Sequence, residues 1–388
     1  MTKPSPSPAG YSALLSDDPP ETWALIAGGG TAGHLLPGLA VARALVAAGH
    51  RPATIHFVGS DRGVEATMVP AAGFTFDELP GRGIQRRLAL SNISAVFGLV
   101  RGVLRGIGIV RRRKPAVVVA LGGHASFACG LAAVLLRRPL SLLEQNVRAG
   151  AVNRVLGRFA TAAAVSFEGT DLPRAVVTGN PLRPELRAAA AAGPDRDAAR
   201  AQLALPAERV VLAVFSGSLG SRRINAAVRG LAERWADRND LAIRHVIGKR
   251  DFAEFTADLP SLPNGGLIYQ TVPYEDRMHL LLAAADLAVT RAGGSVFELA
   301  VMGVPSVLVP LPIATRDHQS ANAAALATSG GVIVVPDPEC TTDRLEAALS
   351  PLIDQPDVRA KMAEAMRTAA VPDAAERVAR LVEERARA

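Results

Sequence analysis

Residues 23–45 read WALIAGGGTAGHLLPGLAVARAL. WALIAG (23–28) has the apolar run of a strand, and the stretch from about 33 to 48 has the pattern of a helix. The turn between them, Gly28-Gly29-Gly30-Thr31-Ala32-Gly33, matches GxGxxG. Small residues in such a turn let backbone N–H groups and the helix N-terminus approach a diphosphate. A dinucleotide site also requires an acid about 20 residues on, after the second strand. Here Asp61 comes 28 residues after Gly33 and position 53 is alanine, so that fingerprint is incomplete. His34 stands at the helix start, where the positive end of the dipole favours neutral imidazole. Neutral imidazole facing a cleft can act as a general base; a capping or packing histidine is the plainer alternative.

The strand–turn–helix unit recurs on both sides of a proline-rich join. TIHFVG (54–59), FTFDEL (74–79), AVVVAL (116–121), LSLLEQN (140–146), AAAVSF (162–167) and AVVTGN (175–180) complete the strands of a first half. RVVLAVFSGS (209–218), LAIRHVIG (241–248), GGLIYQ (265–270), ADLAVT (285–290), VPSVLVP (304–310) and GVIVVP (331–336) are those of a second. Alternation of this kind means an α/β chain with two doubly wound parallel sheets. The join is GNPLRPEL (179–186), followed by alanine-rich 188–192. The expected division is a disordered tail at 1–21, domains at 22–181 and 182–366, and a helix at 367–388 that can return to the first domain. Two such domains bind ligands between them, at the carboxyl ends of their strands.

Bulk composition narrows the function. The 388 residues are 49% apolar, enough for large aliphatic cores. Cys129 and Cys340 are far apart and form no metal or disulfide spacing. The net charge of +7 is local, because residues 81–115 carry nine arginines and lysines and no acid. That segment suits an anionic surface such as lipid headgroups rather than a nucleic-acid coat. Within it Leu99, Val103 and Ile107 form one helical stripe, and Arg101, Arg105 and Arg112 another, a pattern that equally fits an ordinary core-facing helix with a solvated basic face. Residues 115–136 lack charge over about the length of a membrane span. Gly122, Gly123, His124 and Ser126 in their middle point instead to a strand, a turn and a buried helix.

Other turns carry further candidates. Gly122-Gly123-His124 follows the fourth strand, and Ser216-Gly217-Ser218-Leu219-Gly220-Ser221 opens the second half with hydroxyls and N–H groups suited to phosphate. Arg291-Ala292-Gly293-Gly294-Ser295 leads to Glu298, whose carboxylate can accept from a ribose diol or simply complement the helix dipole. Glu144-Gln145-Asn146 ends the fifth strand, and Asp317-His318-Gln319 precedes a helix; their amides and histidine can read sugar hydroxyls, though each stretch alone is more often a cap. Asp195-Arg196-Asp197 formally matches DxD but reads as a helix cap, and no metal-ligand cluster is evident.

In order, GGGTAGHLLPGLAVARAL (28–45), LGGHASFACG (121–130), LEQNVRAGAVNRVLGRFA (143–160), VTGNPLR (177–183), SGSLGSRRIN (216–225) and DHQSANA (317–323) resemble the MurG glycosyltransferases. The resemblance covers the chain from Trp23 onward. It implies a GT-B fold, two Rossmann-like doubly wound domains facing a central cleft, with no cofactor and no catalytic metal. The implied reaction moves N-acetylglucosamine from UDP-N-acetylglucosamine to undecaprenyl-diphosphate-linked muramoyl-pentapeptide, with inversion, at the cytoplasmic face of the membrane. It implies donor contacts from Thr31, Ala32, Gly33, Asn146, Arg183, Gly217, Ser218, Gly220, Gly293, Glu298, His318 and Gln319. His34 is the implied base, with Gly122, Gly123 and His124 beside it on the acceptor side. Two departures stand out: Ser216 replaces a customary glycine, and the stretch from Arg291 to Glu298 is one residue short. The rival readings are a transferase acting on another lipid such as diacylglycerol, a nicotinamide-dependent enzyme, and a non-catalytic membrane scaffold.

Overall fold

The computed structural model describes residues 21–29, 32–60, 63–79, 91–217 and 219–386. The tail before Glu21, Gly30, Thr31, Ser218 and the arginines at 82, 86 and 87 lie outside the described residues.

The first half carries β1 (Ala24–Ala27), α1 (Ala32–Ala47), β2 (Ile55–Ser60), α2 (Glu65–Ala71), β3 (Thr75–Leu79), α3 (Ser91–Arg113), β4 (Val117–Ala120), α4 (Gly123–Leu135), β5 (Leu140–Glu144), α5 (Ala151–Leu156), β6 (Ala162–Val165) and β7 (Ala175–Val177). The second carries α6 (Pro184–Ala192), α7 (Arg196–Gln202), β8 (Val210–Phe215), α8 (Arg222–Arg234), β9 (Leu241–Val246), α9 (Phe252–Thr256), β10 (Ile268–Val272), α10 (Met278–Ala284), β11 (Leu287–Thr290), α11 (Ser295–Met302), β12 (Ser306–Leu308), α12 (His318–Ala327), β13 (Val332–Val334), α13 (Thr342–Asp354), α14 (Pro356–Ala369) and α15 (Ala374–Ala386).

Each half builds one parallel sheet, in the orders β3-β2-β1-β4-β5-β6-β7 and β10-β9-β8-β11-β12-β13. The direction of winding reverses between β1 and β4, and again between β8 and β11. At such a switch point the flanking turns diverge and leave a crevice beyond the strand ends. The two-residue side-chain period sends Ala24 and Ile26 to a core shared with Leu35, Val41 and Leu45 of α1. Leu25 and Ala27 go to the opposite face, against Cys129 and Ala132 of α4. In the second sheet Val211 and Ala213 face one core and Leu212 and Val214 the other. Each fully buried Leu or Ile contributes about 1.5–3 kcal/mol, so burial on both faces of these short strands holds the sheets.

The uncharged run 115–136 is β4, a turn and α4, as its glycines require. Gly122 and Gly123 take φ of 102° and 84°, which turns the chain back onto the sheet. Among the described residues no helix is long and apolar enough to cross a membrane. Both cysteines are buried and unpaired. Asp195 caps α7, its side chain accepting from the Ala198 N–H at 3.0 Å. Two local expectations shift. The helix α6 begins at Pro184, inside the expected join, and runs through the alanine stretch, and α12 starts at His318, placing His318 and Gln319 in its first turn.

α3 is two-sided. Ile109 and Val110 are buried, and Val103 and Ile107 pack against the same core. Gly106 lies so close to α4 that a Cβ there would stand 3.0 Å from the Ala128 carbonyl carbon. Val100 and Leu104 are 52% and 64% exposed, beside exposed Arg101, Arg105, Arg111 and Arg112. Arg113 instead turns inward, its Nε donating to Asp77 at 3.2 Å. The side chain of Leu99 lies outside the described residues.

Two chain segments connect the halves. Gly179 (φ 78°) passes against Val371, and a Cβ on it would lie 2.5 Å from the Val371 Cβ. Met366 of α14 belongs to a core of the second sheet, whereas Ala375, Val378 and Val382 of α15 join α1 on the first. His50 and Glu383 pair at 2.9 Å across that contact.

Candidate functional site

The first lip of the cleft is made by two glycine turns pressed together. The Ser126 hydroxyl accepts from the Gly122 N–H at 2.8 Å and touches the Ala27 carbonyl. A Cβ on Gly28 would collide with Leu121 and Ser126, both at 2.7 Å, and one on Gly123 would meet the Gly29 carbonyl at 3.2 Å. Only glycine lets the turns after β1 and β4 approach so closely. His34, half-buried in the first turn of α1, lies over the second turn: a Cβ on Gly122 would be 3.5 Å from its Cδ2 and 3.6 Å from its Nε2. Gly33 is exposed, and His124 is half-buried at the start of α4. These contacts set His34 against Gly122 and Gly123 against Gly29, with His124 the next residue along α4.

Burial holds the His34 imidazolium below its ordinary pKa, and His318 lowers it further. Glu144 and Glu65 pull the other way. The imidazole is neutral at physiological pH, with two buried carboxylates near enough to favour a proton arriving on it. His318 comes from α12 of the second half, so its influence on His34 marks the two lips as facing each other.

Glu144 organises the loop after β5. Its Oε1 accepts from the Asn146 N–H (3.0 Å) and Asn146 Nδ2 (2.9 Å), and its Oε2 from the Gly150 N–H (2.9 Å) and Asn153 Nδ2 (3.0 Å). One buried carboxylate thus satisfies four donors and fixes residues 146–150.

On the second lip Gly217 and Gly220 take φ of 83° and 76° in the turn after β8. Ser221 caps α8, accepting from the Ile224 N–H, and also accepts from Arg291 Nη2 at 2.6 Å. Arg291 in turn is held by Asp337 at 2.6 Å. Glu298 on α11 accepts from Arg183 Nε (3.2 Å) and Nη2 (2.9 Å) through Oε1. Burial outweighs that cation and keeps the Glu298 carboxyl above the ordinary range. Gln319 uses Oε1 to accept from the Leu311 N–H at 2.9 Å, while its Nε2 faces Gly293, 3.8 Å from where a Cβ would be. Thr31 and Ser218 lie outside the described residues, as does the side chain of Ala32.

The lips also touch. Asn322 on α12 is buried; its Oδ1 accepts from the Val147 N–H (3.0 Å), and its Nδ2 donates to Asn146 Oδ1 (3.1 Å) and the Ala292 carbonyl (3.2 Å). Arg316 donates from Nη1 to the Ala149 carbonyl and to Asp171, both at 2.9 Å, and Arg148 donates to the Arg316 carbonyl at 2.9 Å. Asn146 therefore spans Glu144 of its own half and Asn322 of the other. Sequence reading passes over Asn322, Arg316 and Asp171. Asn322 stands in the quoted DHQSANA stretch, whereas nothing local marks Arg316 or Asp171. Beyond this junction a cleft of about 790 Å3 opens between α1 and α2 on one side and the loops after β9 and β10 on the other. Its polar lining includes Arg43, Arg183, Lys249, Tyr274, Asp276 and His279. Among the described residues no cluster of three or more His, Cys, Asp or Glu could hold a metal.

Comparison with known proteins places this architecture. Residues 24–165 match the glycosyltransferase family 28 N-terminal domain and residues 211–378 its C-terminal domain. A Salinibacter ruber protein, UDP-N-acetylglucosamine–N-acetylmuramyl-(pentapeptide) pyrophosphoryl-undecaprenol N-acetylglucosamine transferase, is 40% identical over 362 residues, covering 92% of this chain and 95% of its own. A Clavibacter sepedonicus protein of the same name is 40% identical over 365 residues, with coverage of 92% and 95%. The crystal structure of Acinetobacter baumannii MurG superposes with a TM-score of 0.74 at 27% identity, covering 94% of this chain and 99% of that one. A Neisseria meningitidis UDP-GlcNAc 2-epimerase, at a TM-score of 0.65 and 15% identity, shares the fold.

Proposed function

The chain belongs to glycosyltransferase family 28 and, within it, to the MurG enzymes; on that premise we propose how its cleft divides the work of the reaction. The reaction is transfer of N-acetylglucosamine from UDP-N-acetylglucosamine to the lipid-linked N-acetylmuramoyl-pentapeptide, the acceptor of peptidoglycan synthesis. Its relatives' shared name favours this acceptor over a diacylglycerol.

In our reading the second domain holds the donor. The turn after β8, with Gly217, Ser218 and Gly220 at the N-terminus of α8, takes the diphosphate, and the helix end offsets charge as UDP leaves. Glu298, fixed by Arg183, accepts from the ribose hydroxyls, and Arg183 lies beside the nucleoside. His318 and Gln319, with Gly293 behind them, meet the sugar. Thr31, Ala32, Gly33 and Asn146 close the pocket from the first domain.

The acceptor enters from the first domain, against Gly122, Gly123 and His124. Its 4-hydroxyl attacks the anomeric carbon opposite the UDP leaving group, so the configuration inverts. His34 takes the hydroxyl proton as the new C–O bond forms and the bond to UDP breaks. The observation carrying this reading is the position of neutral His34 over the Gly122 turn of the first sheet, within electrostatic reach of His318 from the second.

The finer location is also a proposal. Val100 and Leu104, exposed among Arg101, Arg105, Arg111 and Arg112, suit an anionic bilayer at the peripheral, cytoplasmic face. The remainder of the basic segment before Ser91 lies outside the described residues.

The test is transfer of labelled N-acetylglucosamine from its UDP donor to the muramoyl-pentapeptide lipid, with EDTA present and diacylglycerol as competitor. Product on the muramoyl lipid alone is expected. Product on diacylglycerol alone would overturn the acceptor assignment.

A further inference from the structure

Behind the turn after β8 lies a buried chain of polar side chains that no step above uses. Asn225, in the first turns of α8, is 2% exposed, and His245 on β9 is fully buried. Asn225 Nδ2 donates to the Ile247 carbonyl at 3.0 Å. An amide oriented this way presents Oδ1 to His245 Nε2, 3.1 Å away, so Nε2 carries the proton. His245 Nδ1 is then an acceptor, and it receives the Tyr269 hydroxyl of β10 at 2.8 Å. Every donor in this relay has one acceptor, and the direction is fixed from Tyr269 to His245 to Asn225 to Ile247. Desolvation drives the His245 pKa down to about 3, so the neutral tautomer persists across the working range.

The relay ends on backbone that touches the phosphate turn. A Cβ on Gly220 would fall 2.0 Å from the Ile247 carbonyl oxygen, and one on Gly248 would fall 2.5 Å from the Gly220 nitrogen. The Ile247–Gly248 peptide therefore forms the floor under Gly220, and the Asn225 amide holds that floor down.

We propose that Tyr269, His245 and Asn225 are positioning residues for the donor diphosphate, acting through the Ile247 carbonyl on the turn at Gly220. This rests on the reading of that turn as the diphosphate site. The relay fixes the aim of the N–H groups at the start of α8, so its loss weakens donor binding before it slows chemistry at saturating donor.

Asn225→Asp tests the direction of the relay. Aspartate keeps the acceptor for His245 but, ionised, puts a carboxylate oxygen against the Ile247 carbonyl. The donor KM and the UDP Kd are expected to rise about tenfold at pH 8, with kcat within about threefold and the acceptor KM unchanged. Protonated aspartic acid regains a donor, so lowering the pH to 5.5 should return most of the donor affinity, relative to wild type at the same pH. Tyr269→Phe, a gentler change that keeps the fold, should raise the donor KM about threefold. Gly220→Ala separates the two ideas. If it leaves UDP binding intact, the diphosphate assignment of the turn fails. If it abolishes UDP binding while Asn225→Asp leaves the donor KM unchanged, or changes it without pH recovery, the relay fails as a positioning device.

Discussion

The turn after β1 and the turn after β8 occupy the same place in two sheets of the same winding, yet their surroundings differ. Each lies at a switch point, each is glycine-rich, and each opens a helix. The first has an imidazole on its helix, with Glu144 and Glu65 buried nearby. The second has a serine cap held by Arg291 and a floor held by neutral Asn225 and His245. Carboxylates around the first favour a proton arriving on its imidazole; around the second the floor is neutral, and the Asp337 carboxylate is engaged by Arg291. On the reading proposed above, one backbone solution serves acid–base chemistry on one lip and anion binding on the other, and the neighbours decide which.

Replacing His34 with alanine breaks this comparison most directly. If the first turn supplies the base, kcat falls on the order of 10²–10⁴-fold. UDP binding, measured by calorimetry, stays within about threefold because the second lip is untouched. Loss of UDP binding with kcat retained would place His34 among the donor contacts instead.

Next in size is Glu298→Ala, on the second lip. Removing a charge-assisted hydrogen bond costs about 1.5–3 kcal/mol, so the donor KM should rise by roughly tenfold to a hundredfold. Arg183 is 24% exposed at its side chain and can turn to water, so the melting temperature should move little. An unchanged donor KM would leave Glu298 as a partner for Arg183 alone.

These two tests concern residues that sequence made visible, and the reason is local. A glycine turn before a helix is written in adjacent residues, as are the strands that carry it, so the two sheets, their seven and six strands and His34 can be read from pattern. Asn322 and Asn146 are 176 residues apart, and their contact depends on how two bodies dock. Arg316 and Asp317 adopt φ of 55° and 53°, a left-handed pair without glycine that the turn chemistry of the sequence does not announce. The relay through His245 is hidden for the same reason: β9, β10 and α8 each supply one member. What sequence hides here is the set of contacts that aims the groups it reveals.

Asn322→Ala sharpens the comparison by loosening the two lips from each other. It leaves the part-buried Val147 N–H and Asn146 Oδ1, and the buried Ala292 carbonyl, without their partner, at about 1–3 kcal/mol for a buried group left unsatisfied. A melting temperature lower by several degrees is expected, with kcat reduced by about tenfold or less and both KM values nearly unchanged. A selective rise in donor KM would mean that Asn322 serves only the second lip.

The smallest effect concerns the sign of the field at His34. Its depressed pKa puts the acidic limb of kcat/KM below the ordinary histidine value of 6.5, because the base is lost only when the imidazole protonates. The groups that act on it are Glu144, Glu65 and His318. Glu65 packs so tightly under the first turn that a Cβ on Gly29 would lie 1.8 Å from its Oε1, so the isosteric Glu65→Gln keeps the packing while removing the charge. Without that anion the imidazolium is less favoured, and the limb moves to lower pH. His318→Asn removes a group that lowers the same pKa, so the limb moves up. Opposite shifts from opposite lips tie the titrating group to the space between them. Shifts of the same sign, or none, would mean that the titrating base is not His34.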